Sequence, residues 1–307
     1  MKEVLFFKNG LFRYTKEPLF YLNDSEIDYL FFRYKKDLLT RFEERFNNWA
    51  QNPELVDMPK KQVFYDGKYK GDWRVMPCTT FFESEPVKTV KIVCTNEEES
   101  VIKDKISVGK VFILHPKDNF VMGMIDACAF SSFRTALMAV LASKYLSLES
   151  KIIGIVGCGR VGFYTTELAI LSGRVEKVYC YDKQKEMLKK YFNCCRSRLK
   201  IKPVFASIEK IVKKADNVFL STNSKNPVIR KQLIRDGKAK FISSIGADAN
   251  NLSELDADLV KVSNIIVDSI HSAEFGDLKR WIKSNLLNMK EITELKEIIV
   301  NKKKLNK

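Results

Sequence analysis

The chain has 307 residues, 45% apolar and 30% charged, which is enough apolar material to bury the cores of two domains and excludes a disordered chain. No run approaches 18 apolar residues, which excludes a transmembrane helix, and charge at Lys2, Glu3 and Lys8 comes too early for a signal peptide, so a cytoplasmic protein is expected. The formal net charge of +15 invites a nucleic-acid reading, yet only 13 of the 53 basic residues are Arg, the residue that grips phosphate with a two-toothed fork.

In chain order, Asp24-Ser25-Glu26 opens an amphipathic helix through Ile27, Leu30, Phe31, Leu38 and Phe42, closed by Pro53 and Pro59. Residues 62–128 change to short apolar runs between turns. Strands are expected at 89–94, 110–114 and 120–126, the last two joined by the hairpin-like turn His115-Pro116-Lys117-Asp118-Asn119. A long helix is expected from about Ser132 to Leu148. Strands then alternate with helices: strands at 152–156, 177–181, 218–221, 241–244 and 265–267, helices near 160–172, 184–198, 207–214, 229–236 and 254–261. Nearly continuous apolar strands alternating with helices imply an α/β fold with a doubly wound parallel sheet covered on both faces. The boundary is placed at residue 130, with a β-rich α+β domain over 1–130 and the parallel-sheet domain over 131–307. The tail Lys302–Lys307 reads as a frayed polar end.

Seven cysteines, an odd number without a Cys-x-x-Cys, argue against a disulfide framework or structural zinc. Cys158 and Cys180 sit in apolar runs and read as small buried hydrophobes in a reducing compartment. With only His115 and His271, no imidazole metal site is expected. The densest basic block, Lys183 to Lys214, sets eleven Lys or Arg against Glu186 and Glu209; without a recognition motif it reads as a solvated face.

The strand at 152–156 runs into Gly157-Cys158-Gly159-Arg160-Val161-Gly162 and a helix, the Rossmann-type dinucleotide pattern in its proper context. Gly157 would allow the tight turn, Gly159 the approach of a pyrophosphate, and Gly162 close helix–strand packing. Asp182, at the end of the second strand and 20 residues past Gly162, suits ribose hydroxyls and repels a 2′-phosphate, which places NAD(H) ahead of NADP(H); Lys183 and Lys185 soften that preference.

Several segments together resemble the ornithine cyclodeaminase/μ-crystallin family: Trp73-Arg74-Val75-Met76-Pro77, Val87-Lys88-Thr89-Val90 through Asn96, Asp126-Ala127 through Arg134-Thr135-Ala136, Gly246-Ala247-Asp248, Glu254-Leu255-Asp256 and Val267-Asp268-Ser269. The glycine loop and Val-Tyr-Cys-Tyr-Asp are also similar to the family's N-(2-amino-2-carboxyethyl)glutamate synthase branch. The resemblance implies a substrate-binding and dimerisation domain before an NAD-binding domain, a homodimer, and hydride transfer at the Cα–N bond of an amino acid or its imine. It implies Arg74, Arg134 and Lys88 as substrate-carboxylate groups and Asp248 and Lys88 as catalytic groups. It also implies Ser131, Thr135, Ser221, Thr222, Asn223, Ser224 and Gly246, with Arg160 and Val161, as cofactor contacts. Taken alone, Lys88 reads as a surface lysine, Arg134 as an interface salt bridge, Asp248 as a helix cap and His271 as a core or surface residue. Glu291–Ile299 resembles the family's penultimate helix, after which the return segment to the first domain is expected to be missing. Cyclodeaminase, dehydrogenase or reductase, opine-type condensation and a non-catalytic binding role stay open.

Overall fold

The computed structural model describes residues 17–65, 67–68, 71–95, 107–147, 150–173, 175–235, 237–249 and 251–301. Lys2, Glu3 and Lys8, on which the expectation of no signal peptide rests, and likewise Asn96, Leu148 and the tail after Asn301, lie outside the described residues. By contact the described residues form two units, one from Met1–Asn23 and Val56–Ala127, the other from Asp24–Leu55 and Cys128–Lys307. The helix over Asp24–Gln51 thus groups with the second unit, whereas a single cut at residue 130 assigns it to the first.

In the first unit, strands β1 (Phe20–Leu22), β2 (Val56–Asp57), β3 (Gln62–Tyr65), β4 (Asp72–Thr80), β5 (Val87–Thr95), β6 (Ser107–Leu114) and β7 (Val121–Asp126) form one sheet in the order β1-β7-β6-β5-β4, with β2 and β3 both along the outer edge of β4. Among the described residues of this sheet only β1 and β7 pair in parallel. The β-branched run in Val87-Lys88-Thr89-Val90-Lys91-Ile92-Val93 suits a pleated surface. β4 and β5 pair without a break from Asp72↔Thr95 to Thr80↔Val87. The turn after β6 closes through Asn119, at φ 60°, a left-handed position that Asn tolerates.

The second unit is built on a five-stranded parallel sheet, β8 (Ile152–Val156), β9 (Lys177–Tyr181), β10 (Val204–Phe205), β11 (Asn217–Leu220) and β12 (Phe241–Ser244), in the order β10-β9-β8-β11-β12. This is the Rossmann order, reversing between β8 and β11. Every residue of β11 is buried, as are Ile153, Ile155 and Val156 of β8, because helices cover both faces. The helices are α1 (Asp24–Gln51), α2 (Ala127–Leu146), α3 (Arg160–Leu171), α4 (Lys185–Cys194), α5 (Ile208–Lys214), α6 (Lys231–Arg235), α7 (Gly276–Lys283) and α8 (Leu295–Asn301). Among the described residues no helix is long and apolar enough to cross a membrane.

Five local readings change. The helix expected from Ser132 starts at Ala127, because the Asp24 carboxylate, 105 residues away in sequence, accepts the Ala129 backbone N–H at 2.8 Å and caps the first turn. The helix near 184–198 is α4 followed by a π turn over Cys195–Leu199, and the one near 254–261 is a 3-10 turn over Ala257–Val262. The strand β13 (Ile265–Val267) stands outside the five-stranded sheet and pairs with β14 (Ile292–Glu294). Glu291–Ile299 is therefore not one helix. Asn288 and Glu291 form a capping box, β14 follows, and α8 begins at Leu295, since pairing with Ile265 and Ile266 outweighs helical spacing. Leu295 then packs with Phe46 of α1 and Leu141 of α2.

The basic block is not wholly a solvated face. Arg198, in the π turn, turns inward. Its guanidinium bonds Asp28 at 2.8 and 2.9 Å and Glu167 of α3 at 3.1 and 3.2 Å, over the ring of Phe32. Glu167, with its side chain 1% exposed, also accepts Lys35 Nζ at 2.9 Å, and Tyr164 donates its hydroxyl to Asp28 at 2.5 Å. Glu167→Ala leaves Arg198 and Lys35 short of their shared anion. Removing one partner of a buried pair costs about 3–5 kcal/mol, to be read as a lower urea midpoint.

Candidate functional site

The site is built where β8 and β11 lie side by side and the chain connections diverge. Gly157, directly after β8, has φ +97°, and a Cβ there would collide with the Ser221 carbonyl at the end of β11. Ser221 Oγ donates back to the Gly157 carbonyl at 3.0 Å. A Cβ at Gly162 would overlap the same Gly157 carbonyl, so α3 packs against the strand only with glycine there. Gly159 differs: a Cβ there meets no protein atom within 4 Å. The protein's own packing makes no demand for glycine at 159, which leaves room for a bound group beside the backbone. No side chain caps α3, whose first residue, Arg160, is exposed and whose second, Val161, is half-buried. Asp182 braces the loop, accepting the Cys158 N–H at 2.8 Å and the Gln184 N–H at 2.9 Å. An uncapped helix start, open space at Gly159 and an acid after β9 are what a dinucleotide requires of its host. Beneath the loop, Cys158 is buried against Cys180, whose hydrogen bond and the surrounding desolvation hold its thiol far above the usual range. Burial pushes Cys195 up to about 12. These thiols stay protonated and serve as packing.

Two loops flank this turn. After β11, Thr222 donates both its backbone N–H and its hydroxyl to one oxygen of Glu254, at 2.6 and 2.8 Å, while Asn223 is exposed and Ser224 closes a local turn onto Asn226. Ser244 Oγ at the end of β12 and the Gly246 N–H just beyond it donate to the other Glu254 oxygen at 2.7 and 2.9 Å. Glu254 is fully buried, and that burial holds its carboxyl above the usual carboxylate range against the four donors that pull it down. A Cβ at Gly246 would overlap Thr222. Two residues on, Asp248 is exposed. On α2, Thr135 donates its hydroxyl to the Ser131 carbonyl at 2.8 Å, and both residues are half-buried. Arg134 remains solvent-accessible. Crowding by protein atoms lowers its pKa, while the negative charges of Asp268 and, next, Asp248 raise it. Arg134 and Asp248 thus share one electrostatic neighbourhood, with Asp268 as a third member.

In the first unit, Lys88 donates to the Pro116 carbonyl and to Asn119 Oδ1, both at 2.7 Å. Arg74 is buried and bonds Asp72 at 2.7 and 3.2 Å. The two bond different protein partners. Lys88 lies opposite Thr79 and Arg74 opposite Val93, in a register without a bulge. Side chains alternate along a strand and cross-strand partners share a face, so Arg74 and Lys88 project from opposite faces of the sheet. His271 is exposed, 3.9 Å from Glu274.

Sequence reasoning passed over Asp268 and Glu254 as site residues although it had quoted both in motifs. Nothing in either motif shows what the carboxylate reaches.

Comparison with known proteins agrees with this architecture. Residues 24–305 match the model of the Ornithine cyclodeaminase/mu-crystallin family. Alanine dehydrogenase of Archaeoglobus fulgidus is 27% identical over 244 residues, 78% of this chain and 71% of that protein. Among solved structures, Thermococcus litoralis Delta(1)-pyrroline-2-carboxylate reductase in complex with NADH and L-proline has a TM-score of 0.81 at 24% identity, covering 94% of this chain and 88% of that one. An archaeal alanine dehydrogenase dimer with bound NAD has a TM-score of 0.80 at 23% identity, covering 94% and 87%. At that identity the two structures establish the fold, and the family model identifies the group: this chain belongs to the ornithine cyclodeaminase/μ-crystallin family.

Proposed function

We propose that the chain is an NAD(H)-dependent oxidoreductase acting on the Cα–N bond of an amino acid or its imine, with NADP(H) the poorer cofactor. The observation that carries this reading is the family match over residues 24–305, on a chain whose glycine turn has open space at Gly159. The relatives named above include an alanine dehydrogenase and a reductase complexed with NADH and L-proline, which supports the same chemistry here.

When bound, nicotinamide supplies or takes the hydride; the rest is done by the chain. Gly157, Gly159 and Gly162 with the amides of Arg160 and Val161 would hold the pyrophosphate. Asp182 uses two acceptor positions on backbone N–H groups, and a carboxylate has about four, so ribose hydroxyls can still bind it. Ser131, Thr135, Ser221, Thr222, Asn223, Ser224 and Gly246 are assigned to the remaining cofactor contacts. The Thr135 hydroxyl already donates within α2 and is left to accept. The Arg134 fork suits a carboxylate in two parallel bonds. Asp248 is assigned to hold and return the proton at the substrate nitrogen. Lys88 gives two of its three N–H bonds to neutral acceptors, and the third is assigned to the substrate carboxylate. Arg74, tied to Asp72, is assigned to the fold. A homodimer is part of the proposal. The stacked pair Phe64 and Trp73, with ring centroids 4.1 Å apart, leaves 40% and 42% of each residue exposed, and the archaeal relative above is a dimer.

A thermal-shift panel tests the cofactor. NAD or NADH at 100 times its dissociation constant stabilises the chain by about 2.7 kcal/mol, and no shift with any of NAD, NADH, NADP and NADPH rejects the reading. In the same panel Gly159→Ala keeps the apo melting temperature and loses the shift. Gly157→Ala lowers the apo value itself, since strain at its positive φ costs about 1–3 kcal/mol before any clash.

Asp248→Asn, assayed by NADH oxidation over a panel of keto acids with amines and of cyclic imines, cuts turnover by about 10²–10⁴-fold while preserving the cofactor shift.

Lys88→Met raises the KM of the substrate carboxylic acid, as loss of a charged hydrogen bond of about 1.5–3 kcal/mol requires, whereas Arg74→Met lowers the urea midpoint and leaves KM nearly unchanged.

A further inference from the structure

We propose that Glu254 is the positioning residue that sets the spacing between the loop after β11 and the loop that carries Asp248, and through it the affinity for the cofactor; the proposal rests on the dinucleotide reading above. One oxygen of the carboxylate takes the Thr222 N–H and hydroxyl, and the other takes the Ser244 hydroxyl and the Gly246 N–H. Each oxygen therefore faces one backbone N–H, a group that can only donate. A carboxylate satisfies both. An amide of the same size cannot, because its NH₂ would point at a backbone N–H whichever way it turns. Between the two loops there is room for nothing else, as the overlap of a Gly246 Cβ with Thr222 shows.

A second tier holds Glu254 in place. Asp277 accepts the Glu254 N–H at 2.9 Å, the Leu255 N–H at 3.0 Å and the Ser253 hydroxyl at 2.7 Å. Arg280 pairs with Asp277 at 2.5 Å and donates to the Leu252 carbonyl at 2.7 Å. The residue before Asp277, Gly276, has φ +54° and packs so tightly on Ala247 that a Cβ would strike its carbonyl. The segment Gly246-Ala247-Asp248 is thus clamped on one side by the Glu254 carboxylate and on the other by Gly276. Glu254 touches neither substrate nor cofactor in this scheme; it acts through Thr222 and Gly246.

The test is the dissociation constant for NADH, by fluorescence titration, of wild type, Glu254→Gln, Glu254→Asp, Ser244→Ala and a control, Ile211→Val, in the core beneath the same sheet. If acceptor geometry decides, Glu254→Gln, which fills the space but loses one acceptor, weakens NADH by tenfold or more. Glu254→Asp, which is smaller but keeps both acceptors, then weakens it less. A packing role reverses that order, and either the reversed order or a Glu254→Gln constant within twofold of wild type overturns the proposal. The control lowers the melting temperature without moving the constant; a control that weakens NADH as much as Glu254→Gln also overturns it. Should Glu254→Gln fail to fold, Ser244→Ala decides, with a two- to fivefold loss supporting the assignment and an unchanged constant rejecting it. Wild type that does not bind NADH removes the dinucleotide reading itself, whereas wild type that binds beside an equally binding Glu254→Gln removes only the role of Glu254.

Discussion

The contact on which the second unit depends is the approach of two backbones, Gly157 after β8 and Ser221 after β11. Parallel strands at about 4.8 Å diverge at their carboxyl ends only because their connections leave on opposite sides of the sheet. Here the two chains stay close for one residue past the strands, joined by the Ser221 N–H to the Val156 carbonyl at 2.9 Å and by the Ser221 hydroxyl to Gly157. That closeness excludes a side chain at 157 and directs the glycine turn toward α3. The crevice beyond it is a consequence of strand order, and the residues that line it are whichever the three loops after β8, β11 and β12 present.

The loops themselves are held by carboxylates. Asp182 takes the Cys158 and Gln184 N–H groups, Asp216 those of Lys151 and Ile152, Asp277 those of Glu254 and Leu255, and Glu294 that of Ile270. Turns and strand ends expose backbone donors that a ladder cannot satisfy, and an unpaired buried donor costs about 1–3 kcal/mol. A carboxylate with two oxygens answers two donors at once. Asp182 and Asp277 do this on loops at the carboxyl ends of the sheet, and Asp216 does it at the opposite end, where β8 and β11 begin.

What the sequence made legible was local. Alternation of apolar strand and helix located β8, β9, β11 and β12 within a residue or two, and glycine spacing located the turn. What it concealed was long-range. The cap on α2 comes from Asp24, 105 residues away, so the helix start could not be read from its neighbours. β14 carries helical spacing and is a strand because Ile265 and Ile266 lie beside it. Arg74 and Lys88 sit 14 residues apart in a segment that resembles one functional motif, yet the pairing of β4 with β5 turns them to opposite faces. A motif supplies residue types and order; only the register says which way a side chain points. Glu254 was visible as part of Glu-Leu-Asp, but its four donors come from three residues in two other segments, and no local pattern encodes that.

The same division of labour accounts for the charge. Among the described residues the fully buried charged groups are Glu167, Glu254, Asp277 and Arg74, three acids to one base. Acids are drawn inward because the backbone offers its orphaned donors at helix starts and loop entries, and a short carboxylate reaches them without a long flexible stem. No lysine is among the buried residues described. A chain with 53 basic and 38 acidic residues therefore presents a surface more basic than its composition. Such a field draws anions of any kind toward the molecule. At the carboxyl ends of the strands the charge is mixed: Asp182 stands beside the glycine turn, and the negative charges of Asp268 and Asp248 act on Arg134. On the proposed reading, the 2′-phosphate of NADP(H) would meet repulsion at Asp182, and an amino acid would meet Arg134 with its carboxylate and the two acids beside Arg134 with its cationic nitrogen.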